Sequence, residues 1–121
     1  MEATDFLRYI DYGYFKKNDT PVVLICGDSI PIKTAFLRYV RNRIAGLKAI
    51  HFTYEQFMKQ RLNVFAQDNL IVTIDDISVT DILTTMLALN EKFGTQFVTT
   101  THINSWEIPV SLRDQILFIK I

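Results

Sequence analysis

Apolar residues along this chain follow two alternating patterns. Short continuous runs, "VVLIC" at 22–26 and "NLIVTI" at 69–74 above all, are separated by stretches in which apolar residues recur every three or four positions. A short unbroken run predicts a strand covered on both faces, and the three-to-four spacing predicts a helix with one buried side. Phe6, Leu7, Ile10 and Tyr14 give the helical spacing over 4–17, which "NDT" and Pro21 then break. Phe36, Leu37, Val40 and Ile44 give it over 33–45, with Arg38, Arg41 and Arg43 largely off the stripe and Gly46 as a stop. "LKAIHF" reads as a short strand. Thr53 with Gln56 three residues on is a capping-box arrangement that opens the helix "YEQFMKQRL". A further helix over 79–92 carries Ile82, Leu83, Met86, Leu87 and Leu89 and closes at Gly94. "QFVTTT" at 96–101 reads as another buried strand. Residues 104–115 read as a loop with a helical turn, and "ILFIKI" at 116–121 as a last strand.

Five strands alternating with helices predict an α/β fold: a three-layer α/β/α sandwich around a mostly parallel five-stranded sheet. The ligand crevice of such a sheet lies at the carboxyl ends of its strands. Gly27, the pair Asp75 and Asp76, and the run Thr100, Thr101 and His102 all fall at such ends.

Gly27, Lys33 and Thr34 stand where the phosphate-binding motif G-x-x-x-x-G-K-[ST] has its first glycine, its lysine and its hydroxyl. That loop works through converging backbone N–H groups and needs positive φ in its middle. Ile30, Pro31 and Ile32 oppose this geometry. β-Branched residues disfavour positive φ, and proline removes a donor and pushes its predecessor toward extended backbone. Each conflict costs about 1–3 kcal/mol if the cradle is forced. The competing reading makes Ser29 a helix cap, places Pro31 in the first turn and leaves Lys33 in solvent. "LIVTIDD" is a Walker B pattern: Asp75 would hold a Mg²⁺ ion through water and Asp76 would orient an attacking water, as the one catalytic candidate. The plainer reading is a solvated acidic turn. Thr100 and Thr101 would sense a γ-phosphate or make ordinary strand-end hydrogen bonds. Cys26 reads as a small buried apolar group.

Composition narrows the field. The chain has 121 residues, 49% of them apolar, enough for one packed domain: an N-terminal helix over 1–19 and an αβ core over 20–121. Thirteen basic residues balance thirteen acidic ones, so no general field draws the chain to nucleic acid or an anionic membrane. One cysteine excludes a disulfide framework and suits a reducing cytoplasm. No apolar run nears the ~20 residues that span a bilayer, and the acidic, mixed N-terminus is unlike a signal peptide.

The segments "PVVLICGDSIPIKTAFLRYVRNRIAG", "AIHFTYEQFMKQ", "NLIVTIDDI" and "TQFVTTTHINSWEIPVSLRDQ", in that order, resemble the AAA+ core of the bacterial DnaA and Hda family. The resemblance covers about residues 20–121 and lies in the order and spacing of the segments. It implies a P-loop NTPase-like AAA+ sheet and a part in an ATP-dependent switch of chromosome replication. It also implies nucleotide-binding positions at Gly27, Lys33, Thr34, Asp75, Thr100 and Thr101, with Arg113 the nearest match to an arginine finger. The chain departs from the family in the missing inner glycines. The helical lid with its second sensor arginine, the helix-turn-helix domain and an N-terminal clamp-binding peptide are not found in it. The expectation is therefore a degenerate, non-catalytic AAA+ domain with no cofactor that binds a protein: a replication initiator, another AAA+ protein or a second copy. Arg38, Arg41, Trp106 and Arg113 are the candidates for that contact, although a loop tryptophan is more often partly buried core. A weak ATPase using ATP or ADP with Mg²⁺ is the alternative, and a DNA-binding accessory using the arginine face is the second.

Overall fold

The computed structural model describes residues 2–11, 21–44, 46–67, 70–77 and 81–121. Helix α1 (Ala3–Asp11) precedes strand β1 (Val22–Cys26), helix α2 (Ile30–Arg43) and strand β2 (Ala49–Thr53). Helix α3 (Tyr54–Met58), a 3₁₀ turn at Leu62–Phe65 and strand β3 (Ile71–Ile77) follow. Helix α4 (Asp81–Phe93), strand β4 (Gln96–Thr101), a 3₁₀ turn at Ser105–Glu107, helix α5 (Val110–Arg113) and strand β5 (Ile116–Lys120) complete the chain. The expected helix over 4–17 is described as far as Asp11; Tyr14 and the "NDT" break lie outside the described residues.

The strands form one five-stranded sheet in the order β2-β3-β4-β1-β5, and every pairing is parallel. Helices cover both faces, the three-layer α/β/α arrangement of a P-loop-like core. On one face α1 and α2 bury Phe6, Ile10, Leu37, Val40 and Ile44 against Val23, Ile25, Ile71, Val98 and Ile119. On the other, α3, α4 and the first 3₁₀ turn bury Phe57, Phe65, Ile82, Leu83 and Met86 against Val22, Leu24, Val72, Ile74 and Phe97. Successive apolar residues of β1, β3, β4 and β5 divide between the two cores, which is why their runs are largely apolar, whereas β2 gives only Ile50 and Phe52, both to one core. Among the described residues no helix is long and apolar enough to cross a membrane.

Local sequence sets several element ends. Thr53 accepts from the N–H of Gln56 at 3.2 Å, and the Gln56 side chain accepts from the N–H of Thr53 at 3.0 Å, so the capping box forms. Gly94 takes φ 73°, the left-handed backbone that ends α4 after Phe93. Helix α2 begins three residues earlier than the motif-based reading over 33–45. Ser29 is its N-cap in extended backbone and accepts from the N–H of Ile32 at 3.3 Å, with Pro31 in the first turn. Serine before a proline-bearing turn is a strong helix start, and it claims the residues a phosphate loop would use.

Strand β3 also corrects the sequence reading. Rather than stopping before the aspartates it runs through them to Ile77. Ile74 faces Thr99 and Ile77 faces Thr101, so one extra residue of β3 is taken up between them. This bulge contains Asp76, the only described non-glycine residue at positive φ, 61°. Aspartate tolerates that region better than most residues, and a bulge re-aims the side chains beside it.

Candidate functional site at the strand ends

Strands β1 and β4 are neighbours, with Cys26 opposite Thr101 at their carboxyl ends. From there the chain leaves β1 for β2 at one edge of the sheet and leaves β4 for β5 at the other. This is the switch point where open α/β sheets form their crevice. The motif residues of α2, β3 and β4 converge on it.

Lys33 is 1% exposed, and its Nζ donates to the backbone carbonyl of Thr101 at 2.9 Å. This overturns the expectation of a solvated Lys33. The first turn of α2 carries the stem down onto β4, and the ammonium ends on a main-chain oxygen of the sheet. Thr34, one residue on, points its hydroxyl toward Asp75, 3.4 Å from each carboxylate oxygen. The Thr100 hydroxyl donates to Asp75 Oδ1 at 2.6 Å and accepts from the N–H of Asp76 at 2.7 Å. The Thr101 hydroxyl donates to the carbonyl of Ile77 at 2.7 Å and accepts from the N–H of Ile103 at 3.0 Å. His102 Nδ1 lies 3.2 Å from Asp76 Oδ1, a contact about half exposed. The structure thus brings Lys33, Thr34, Asp75, Asp76, Thr100 and Thr101 together, and each is engaged with another part of the protein. The two threonines tie the strand ends and the bulge to one another.

Gly27 has a steric role here. A Cβ on it would sit 2.5 Å from the main-chain oxygen of Ile121, whose N–H donates to the carbonyl of Cys26 at 3.0 Å. Glycine lets the end of β5 close on β1. Gly27→Ala is expected to lower stability by about 1–2 kcal/mol, because the clash is with backbone. A drop in the urea midpoint at unchanged m-value checks this.

The remaining candidates stand apart from this cluster. Arg38 and Arg41 are exposed on α2, on the flank toward β2. Arg113 is exposed, and its Nε donates to the carbonyl of Ile108 at 3.1 Å, which holds the loop before α5. Trp106 is 72% exposed, against the expectation that it is core, because the 3₁₀ turn that carries it buries Ile103 and Ile108 instead. A cleft of about 610 Å³ opens between Trp106, His102 and the ends of β1 and β5, with Cys26 and Lys120 in its wall. Cys26 is half-buried. Burial pushes its thiol up from the ordinary value, with Lys33 and Lys120 pulling the other way, so it is not an activated thiolate. Among the described residues no three His, Cys, Asp or Glu side chains gather into a metal-holding group.

Two residues matter that the sequence reading did not single out for the site. Thr73 lies under His51, hydroxyl to Nδ1 at 2.7 Å. Ile77 supplies the carbonyl that Thr101 holds. The threonine-rich, β-branched strands gave a weak signal for both. Compared with protein-family models and with characterised proteins, the chain matches none.

Proposed function

We propose that this chain is a non-catalytic, degenerate relative of the DnaA and Hda AAA+ domains, acting in the cytoplasm as a protein-interaction module in the control of replication initiation. The observation that carries this reading is the Lys33 ammonium bound to the carbonyl of Thr101, beside a helical turn where a phosphate loop would lie. An ATP site needs that ammonium free and the loop's N–H groups converging on oxygens. Here the N–H of Ile32 is spent on Ser29, the N–H of Lys33 on the Ser29 carbonyl, and Pro31 has none. Asp75, the candidate Mg²⁺ residue, is occupied by Thr100 and Thr34. These engagements support the reading without a magnesium–nucleotide complex.

A protein partner is supported by what the crevice segments present outward. Ile30 and Ile32, in the segment leaving β1, and Trp106 and Val110, in the segment leaving β4, are all more than half exposed. Large apolar side chains at a site with no nucleotide chemistry suit a protein contact, with tryptophan as a favoured anchor. The partner class is a replication initiator or another AAA+ subunit, including a second copy.

A fluorescent ATP analogue titrated with Mg²⁺ is expected to show no saturable binding up to about 1 mM, far above the micromolar range of a working site. Capture of the source cell's initiator is expected to be independent of added ATP and weakened by Trp106→Ala. Micromolar nucleotide binding that disappears in Lys33→Met overturns the reading in favour of the ATPase.

A further inference from the structure

A second cleft, of about 500 Å³, lies away from the strand ends, between the last turns of α2 and the edge strand β2. It arises from the fold. Helix α2 packs over β1, β4 and β3, the inner strands of the sheet. Strand β2 lies beyond them, so its face toward α2, with Ala49 and His51, stays open beside Thr73. Arg38, Arg41 and Asn42 overhang this gap from above, and Ile44 closes its back.

Three features of the cleft call for an occupant. The first is charge. Arg43, on the same helix, is turned to Tyr39, with Nη2 2.5 Å from the phenol oxygen and the guanidinium over the ring. Arg38 and Arg41 have no hydrogen bond or ion pair among the described residues. The second is the strand edge. Among the described residues β2 pairs with β3 on one side and with no strand on the other, and an edge strand presents unpaired main-chain donors and acceptors. The third is that this edge is poorly protected. Within "AIHFT" there is no Lys, Arg, Asp, Glu or Pro, and its pairing with β3 is regular over all five residues. Natural edges are otherwise guarded by charges, proline or bulges.

We propose that the free edge of β2 and the cleft below Arg38 and Arg41 form a docking site for an extended segment of a partner protein in which carboxylates alternate with apolar residues. The proposal rests on the reading of this chain as a protein-interaction module and gives the chemistry of one contact. The segment adds a sixth strand to the sheet. Its side chains alternate, so one set enters the cleft under the two guanidinium groups, which hold carboxylates in forked pairs. The other set lies along the face that carries Ile50 and Phe52. A nucleic-acid backbone fits less well. The cleft wall is partly apolar, at Ile44 and Ala49, two arginines are few for a phosphate track, and the chain carries no net charge. His51 adds a reporter. Burial, and then Arg41, hold its imidazole below the ordinary value, with Asp75 pulling it up. A carboxylate arriving beside Arg38, Arg41 and His51 raises it.

The test uses a short labelled peptide of alternating glutamate and valine, its lysine–valine counterpart, and a short DNA duplex. Binding of the glutamate peptide alone is expected. Amide exchange across Ala49–Thr53 should slow at saturation, and the His51 ring should titrate at higher pH. The exposed pair Arg38→Glu and Arg41→Glu should weaken the peptide about tenfold or more. Equal affinity for the wild-type and charge-reversed proteins overturns the proposal. So does unchanged exchange at β2, or no peptide binding by the folded protein. Tighter binding of the duplex, lost in the double variant, overturns it in favour of a phosphate backbone. The two readings fail separately. Nucleotide binding at Lys33 sinks the module but not the cleft, and initiator capture without peptide binding sinks only the cleft.

Discussion

Lys33→Ala is expected to cost about 2–4 kcal/mol of folding stability and to change no ligand affinity. The stem of Lys33 is packed between α2 and β4, and its ammonium satisfies a buried main-chain carbonyl. Truncation removes three methylenes and the ammonium from a closed interior and leaves the Thr101 oxygen without its donor. Lys33→Met separates the two terms. It keeps most of the volume and loses only the hydrogen bond. A charge carried into the interior is costly to desolvate, so removing it returns part of what the bond supplied. Lys33→Met should therefore cost about 1 kcal/mol or less. Urea unfolding of the three proteins at unchanged m-value measures both steps. In a phosphate loop the order is reversed: the lysine is exposed, truncation leaves the fold alone, and nucleotide binding is lost. If Lys33→Ala stays within about 0.5 kcal/mol of the parent, the side chain is not the internal tether described here.

That contrast bears on what the sequence could reveal. The five strands, their parallel pairing and the helix layers followed from runs and spacings, because burial on both faces leaves a strong local pattern. The gathering of Gly27, Lys33, Thr34, Asp75, Thr100 and Thr101 at one end of the sheet followed from parallel topology alone. The direction of Lys33 did not. Ser29 and Pro31 announced an earlier helix start, but the spacing from Gly27 to Lys33 suggested a loop, and the two readings differ by one turn of helix. One turn is enough to carry the ammonium from the crevice onto the Thr101 carbonyl. The bulge at Asp76 was equally hidden, since it depends on register against β4 and not on β3 itself. Trp106 was misjudged because the shortness of its 3₁₀ turn, which lets Ile103 and Ile108 fill the space below, is a property of the packed loop. The open face of β2 came from strand order. Nothing in "AIHFT" says that it lies at an edge, and the sequence offered Arg38 and Arg41 as contact candidates without showing the gap that the sheet puts beneath them.

Phe97→Ala should have the largest effect of any single change, about 3–5 kcal/mol. Phe97 is fully buried on β4, and its ring meets Phe57 edge-on at 6.0 Å between centroids. Phe57 in turn lies 5.6 Å from Phe65 and 6.3 Å from Phe52, so four rings from β4, α3, the 3₁₀ turn and β2 form one cluster. Edge-on ring pairs add to the stabilisation that burial alone gives. Removing Phe97 leaves a cavity under α3, where β2 and β3 are joined to the rest of the sheet. Domains of this size hold about 5–15 kcal/mol in all, so the variant should be partly unfolded at physiological temperature, while Phe97→Leu should fold. The effect on binding is the sharper test. The cluster lies on the face of the sheet opposite Arg38, Arg41 and His51. At a temperature where Phe97→Ala is folded, it should bind the acidic peptide as the parent does. On warming, its apparent affinity should fall only by the folded fraction, as linkage requires. A loss of affinity in the fully folded variant would mean that the cleft depends on the aromatic face, and that β2 is not the independent edge its strand order implies.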